Sequence, residues 1–151
     1  MKIVFVCLGN ICRSPMAEGI LKDMVIKNGL NWHVESAGTQ SYHIGNPPHL
    51  FSQEVCLENG IDISMQRAQQ YNAEKYQDFD LVYAVSVDVL FEIGGFPYDE
   101  ANPSKATLLL EEIFPEEKQS VPDPWYGGKE GYYPVFKLIK RCCERIIRKY
   151  S

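Results

Sequence analysis

The stretch Ile3-Val4-Phe5-Val6-Cys7-Leu8-Gly9-Asn10-Ile11-Cys12-Arg13-Ser14-Pro15 decides how the rest of the chain is read. Residues 2 to 7 form an apolar run too short for a helix and rich in Val and Ile, which predicts a strand buried on both faces. Gly9 and Asn10 then make a tight loop, and Asn10 suits a left-handed backbone position that lets several amides converge. Ser14 is a natural N-cap and Pro15 fits the first helical position, so a helix starts where the loop ends. Strand end, loop and helix N-terminus aim backbone N–H groups at one point, where an anion is stabilised. The same field favours the thiolate of Cys7, so one short loop binds a phosphate and holds a nucleophile beside it. Arg13 closes the ring with a planar fork that can donate two parallel hydrogen bonds to a phosphoryl group.

Working outward, Ala17, Leu21, Met24 and Val25 supply the apolar stripe of the first helix, which Asn28-Gly29 stops. Trp32 to Ser36 predicts a second short strand, and the Gly, Ser, Asn and Pro content from Ala37 to Pro48 marks a long surface loop of the kind that carries function. Phe51, Val55, Cys56 and Leu57 fit a second helix ending at Asn59-Gly60. Leu81 to Val85 is a third buried strand and Ala106 to Leu110 a fourth. Glu130 to Tyr150 predicts a long helix, with Phe136, Ile139, Cys143 and Ile146 inward and Lys137, Lys140, Arg141, Glu144 and Arg148 outward. Strands alternating with helices imply an α/β fold with a parallel sheet covered on both faces, its ligands bound at the carboxyl ends of strands. Cys7 lies at such an end.

The chain has 151 residues, which fits a single domain (1–151) with an ordinary core. Its five cysteines are odd in number and include the adjacent pair Cys142 and Cys143, which argues against a disulfide framework and for a reduced, cytoplasmic setting. Met1-Lys2 leads straight into the first strand without the pattern of a secretory leader, and no stretch reads as membrane-spanning. Fifteen basic against twenty acidic residues leave a net charge of −5, so general attraction to nucleic acid is not expected and the anion site must be local.

Cys7-x5-Arg13-Ser14, followed by Pro15-Met16-Ala17-Glu18-Gly19, resembles the phosphate loop of cysteine-dependent phosphatases. With Asp123-Pro124-Trp125-Tyr126-Gly127 near the other end, the chain looks like a low molecular weight protein tyrosine phosphatase. The likeness runs nearly end to end, through Ser36-Ala37-Gly38-Thr39, Gly45-Asn46-Pro47-Pro48, Phe79-Asp80 and Arg141-Cys142-Cys143. It implies a three-layer architecture around a four-stranded parallel sheet in order 2-1-3-4, with helices on both faces and the phosphate loop after the first strand. It also implies hydrolysis of phosphotyrosine proteins or aryl phosphates through a phosphocysteine; the chemistry requires no metal or cofactor, and a monomer is expected.

The chemistry assigns roles to residues. Leu8, Gly9, Asn10, Ile11, Cys12, Arg13 and Ser14 form the phosphate-binding loop, whose amides, with Arg13, stabilise charge on the equatorial phosphoryl oxygens. Cys7 is the nucleophile, and Ser14 can donate to its thiolate. Asp123 matches the family's general acid, its loop stiffened by Pro122 and Pro124. Tyr42, His43, Trp125 and Tyr126 are expected to wall an aromatic slot. The resemblance further implies a reversible disulfide between Cys7 and Cys12. A zinc site fails on ligand count, because Cys56, Cys142 and Cys143 sit on helical stripes. His33 and His49 are read as structural.

The sequence departs from the family after the second helix. A His that usually meets the Glu equivalent to Glu18 is missing from Ser64-Met65-Gln66-Arg67-Ala68-Gln69, Ala84-Val85-Ser86 replaces a stretch usually ending in Met-Asp, and His49-Leu50-Phe51 replaces an Asp-Pro-Arg. These changes touch the surroundings of the reacting groups. Among alternatives on the same fold, phosphoarginine phosphatases typically carry Thr where Ile11 stands, and arsenate reductases relay a disulfide through further cysteines on a mobile segment. A non-catalytic phosphate-binding module would have no need of Cys7, Arg13 and Asp123 together.

Overall fold

The computed structural model describes residues 1–94 and 105–151. Four parallel strands, β1 (Lys2–Cys7), β2 (His33–Gly38), β3 (Leu81–Ala84) and β4 (Ala106–Leu108), lie in the order β2-β1-β3-β4. The pleat sends Ile3, Phe5 and Cys7 of β1 into one core and Val4 and Val6 into the other, which explains its unbroken apolar sequence. Helices α1 (Arg13–Lys27), α2 (Leu50–Glu58) and α4 (Tyr132–Tyr150) cover the first face, with α1 packed against both α2 and α4. The short helix α3 (Val87–Glu92) and the turns that carry Tyr76 and Phe79 cover the second.

Sheet order is what places the site. The chain leaves β1 for β2 on one side and later returns to β3 on the other, so a crevice opens beyond the carboxyl end of β1. Cys7 stands at its mouth, and the four-strand order matches the expectation.

Several local expectations need correction. The N-cap of α1 is Cys12, two residues before Ser14, because Arg13 and Ser14 already belong to the first turn and the Ser14 hydroxyl is engaged with Cys7 instead. β2 runs on through Ala37 and Gly38, which the Gly-rich composition assigned to the loop, because residues 69 to 71 hydrogen-bond to both sides of Gly38. β4 stops at Leu108 and the chain turns into a 3-10 helix at Leu109–Glu112. α4 begins at Tyr132, after a separate 3-10 turn at Lys129–Gly131, and its inward stripe is buried as expected. Leu57 is exposed, so the buried face of α2 rests on Ser52, Val55 and Cys56. Helix α3, capped by Ser86 through Val89 N–H, is too short for periodicity to reveal.

Candidate active site

The loop after β1 is tied down on its outer side. Thr39 N–H donates to the Cys7 carbonyl at 3.0 Å and Gln40 N–H to that of Leu8 at 2.8 Å, extending the β1–β2 ladder past both strands. Asn10 adopts the left-handed conformation (φ 57°) expected of it. That turn swings its amide N–H back onto Cys7 Sγ at 3.2 Å, so the loop curls around the sulfur. Cys7 is buried.

A chain of hydrogen bonds runs beneath the sulfur and leaves Ser14 a proton to offer it. Asn10 Oδ1 accepts from Gln69 N–H at 2.9 Å, which orients the amide. Its Nδ2 then donates to Ser14 Oγ and to Ser36 Oγ, each at 2.9 Å. Ser36 passes its own proton to Glu18 Oε1 at 2.8 Å, and Lys22 holds the other carboxylate oxygen at 2.8 Å. Because Ser14 Oγ accepts from Asn10, its single proton is free to point at Cys7 Sγ, 2.9 Å away. Asn10, Ser14, Ser36 and Glu18 are all buried, which makes each of these partners obligatory.

Arg13 faces the same space from the first turn of α1. Its Nη1 donates to the Val121 carbonyl at 3.0 Å, and Val121 N–H in turn donates to the Val85 carbonyl beyond the end of β3. The guanidinium is thereby braced against the segment that carries Asp123. Asp123 Oδ2 lies 3.7 Å from Arg13 Nη2, and Asp123 Oδ1 accepts from Trp125 N–H at 3.0 Å as the cap of the 3-10 turn Pro124–Tyr126. Asp88, by contrast, is engaged by Ser86 on α3, and Glu18 sits behind the loop.

Above the sulfur opens a cleft of about 340 Å³. Its floor is Cys7, Leu8, Gly9, Ile11, Cys12 and Arg13. Its walls are Gln40, Tyr42 and His43 from the loop after β2 and Asp123, Trp125 and Tyr126 from the segment before α4. Asn10 and Ser14 lie below the floor as supports. Gln40 was missed, since a Gln in a polar loop carries no signal of its own. Cys12 lies 3.5 Å from Tyr132 Oη, and burial pushes its thiol up to about 11 despite that contact. Among the described residues no three His, Cys, Asp or Glu side chains converge as metal ligands would.

The altered surroundings have found other partners. Met65 points into solvent, Gln66 Nε2 donates to the Pro15 carbonyl at 3.1 Å, and Gln69 Nε2 donates to Ser36 O and Glu35 Oε1. His33 hydrogen-bonds Glu35. His49 caps α2 by accepting from Phe51 N–H at 3.1 Å, and its ring packs on Tyr132 and Trp125, a placement the sequence did not disclose.

A buried thiol inside a strand-loop-helix phosphate cradle, with an arginine in the cradle and a carboxylate across the cleft, defines a cysteine-dependent phosphohydrolase. The family model described as low molecular weight phosphotyrosine protein phosphatase matches residues 2–150. The low molecular weight protein-tyrosine-phosphatase YfkJ of Bacillus subtilis is 38% identical over 152 residues, covering 97% of this chain and 94% of that protein. Its crystal structure superposes with a TM-score of 0.87 over 99% of this chain and 93% of its own, at 36% identity. The human low molecular weight phosphotyrosine protein phosphatase is 33% identical, covering 97% and 94%. An arginine phosphatase from Drosophila superposes with a TM-score of 0.89 at 32% identity, covering 100% and 98%. The chain belongs to the low molecular weight phosphotyrosine protein phosphatase family.

Proposed function

We propose that this chain, a single phosphatase domain, hydrolyses phosphotyrosine monoesters in two steps, with Cys7, Arg13 and Asp123 as the reacting machinery. One observation carries the reading: these three side chains line one cleft, with Ser14 Oγ 2.9 Å from the Cys7 sulfur. In the first step Cys7 Sγ attacks phosphorus in line, the ester P–O bond breaks, and Asp123 delivers its proton to the departing phenolate oxygen. The loop amides and the Arg13 fork carry the charge on the three equatorial oxygens. In the second, Asp123 takes a proton from water, the water oxygen attacks phosphorus, and the S–P bond breaks to return the thiolate to its hydrogen bond with Ser14.

The apolar side chain of Ile11 and the rings of Tyr42, Trp125 and Tyr126 suit an aryl leaving group, and Ile11 offers nothing to a guanidinium. The Drosophila relative keeps phosphoarginine as the second reading. Cytoplasmic residence is supported by five unpaired thiols. Cys7 and Cys12 on one cleft floor support a reversible disulfide that guards the nucleophile, and a monomeric enzyme with protein phosphotyrosine as its partner completes the reading.

Asp123→Asn tests the assignment. It removes the proton donor while keeping a side-chain oxygen to cap Trp125, and kcat/KM for phenyl phosphate should fall about 10²–10⁴-fold. The deficit should shrink across aryl phosphates with increasingly acidic phenols. Cys7→Ser should abolish turnover on all of them. A deficit constant across the series removes Asp123 from the acid role, and turnover near wild type in Cys7→Ser removes the phosphocysteine.

A further inference from the structure

We propose that His49 is a positioning residue that couples the phosphate loop to the Asp123 segment, holding Trp125 in place while its ring is neutral and releasing it on proton uptake. The proposal rests on the reading of Asp123 as general acid. His49 touches four parts of the molecule at once. Its backbone N–H donates to the Ile11 carbonyl of the phosphate loop at 2.7 Å. Its Nδ1 accepts from Phe51 N–H at the start of α2, 3.1 Å away. The ring stacks on Tyr132 of α4, with centroids 5.4 Å apart and planes at 21°. It also meets Trp125 edge-on at 5.4 Å and 74°, and Trp125 N–H is the donor that orients the Asp123 carboxylate.

The cap fixes the tautomer. With Nδ1 accepting, the single ring proton is on Nε2. A second proton must go to Nδ1, where it would face the Phe51 N–H, so two donors would meet and the ring must turn out of the cap. Turning it breaks the packing against Trp125. Burial works in the same direction, disfavouring the charged ring and lowering its pKa below the ordinary 6.5. Of the titratable groups, Tyr132 from α4 packs directly on the ring, while Asp123 and His43 reach it through Trp125. Glu54, further along α2, is engaged by Lys129 at 3.1 Å. His43 lies on Trp125 as well, 6.0 Å away at 51°, so any test must silence it.

The experiment uses a Trp32→Phe, His43→Gln background, which leaves Trp125 as the one indole of the two in the chain and His49 as the imidazole against it. Trp125 emission should show a single transition with its midpoint below 6.5, because a protonated imidazole quenches indole and the ring moves. The transition should vanish in His49→Asn, which still caps α2, and in His49→Phe, which keeps the ring packing. In the same proteins, kcat/KM for phenyl phosphate is divided by that for an aryl phosphate with a strongly acidic phenol. With His49 present this ratio should fall about threefold or more from roughly pH 6.5 to 5, as Asp123 loses its placement, and in His49→Asn it should stay level or rise. An emission transition that is absent, or that survives both His49 variants, overturns the coupling. So does a ratio with the same pH dependence in all of them. The emission arm reads Trp125 directly, so failure of the Asp123 assignment would show in the Asp123→Asn leaving-group series and not there.

Discussion

A methyl group on Gly38 would lie 2.8 Å from the Leu8 carbonyl oxygen and 2.9 Å from the Asn10 amide nitrogen. The end of β2 is therefore the surface against which the phosphate loop is moulded. Backbone atoms cannot step aside as a flexible side chain would, so Gly38→Ala should displace the loop. Overpacking of this kind costs about 1–3 kcal/mol, or roughly 2–4 °C in Tm per kcal/mol for a chain of this size. Turnover should fall by more than the melting shift suggests, because the displaced atoms carry the amides that face the phosphate. A variant with wild-type kcat and a lowered Tm would show that the loop tolerates the shift.

Ser36→Ala should act on Cys7 from a distance. It leaves a proton of Asn10 Nδ2 and an oxygen of Glu18 without a partner, at about 1–3 kcal/mol for a buried group. Asn10 then loses one of the bonds that turn its amide toward Ser14, and the Ser14 proton is no longer directed at the sulfur. About a tenfold loss in kcat is expected, on the order of one such hydrogen bond. Rapid-quench kinetics should show the phosphoenzyme accumulating if thiolate departure is the step affected.

The slot above Cys7 predicts a specificity that depends on reach. A phosphoserine side chain is too short to bring phosphorus to the sulfur between Leu8, Ile11, Tyr42 and Trp125. Phosphotyrosine peptides should therefore be hydrolysed and matched phosphoserine peptides left almost untouched, as measured by phosphate release. Ile11→Thr should move the ratio toward phosphoarginine by placing a hydroxyl on the floor.

Cys12 should answer to pH as a buried thiol. Cys12, pushed up to about 11 by burial, is a neutral thiol at physiological pH, and iodoacetate followed by mass spectrometry should leave it unlabelled there. Cys12 labelling should rise only as pH climbs toward 11. Tyr132→Phe removes the contact that lowers the Cys12 pKa, so it should slow that labelling further. The unfolded chain loses this proton nearer 9, so the Cys12 contribution to stability is full below 9 and declines as pH rises from 9 to 11.

What the sequence disclosed followed from strong local chemistry. Cys7, Asn10, Arg13 and Ser14 are legible because a tight loop between an apolar strand and a helix start leaves few structures open to it, and α4 is legible because its apolar stripe persists over five turns. Gly38 looked like loop because its strand pairing comes from residues 69 to 71, a tertiary partner that composition does not carry. Ser14 looked like an N-cap because its hydroxyl oxygen is an ordinary acceptor for first-turn N–H groups, and here Cys7 and Asn10 engage it instead. His49 was unreadable for a related reason. Its meaning comes from Tyr132 and Trp125, each more than seventy residues away.

The position of β1 at the centre of the sheet bears on how the molecule is assembled. Cys7 precedes its partners along the chain: the strands on either side of it begin at His33 and Leu81, Arg13 is braced by Val121, and the ring against Cys12 belongs to Tyr132. Parallel pairing across such separations is slow, because each closure precedes the contacts that reward it. A nascent chain therefore displays its thiol with neither cradle nor acid, and an oxidant meets that sulfur most readily on the ribosome.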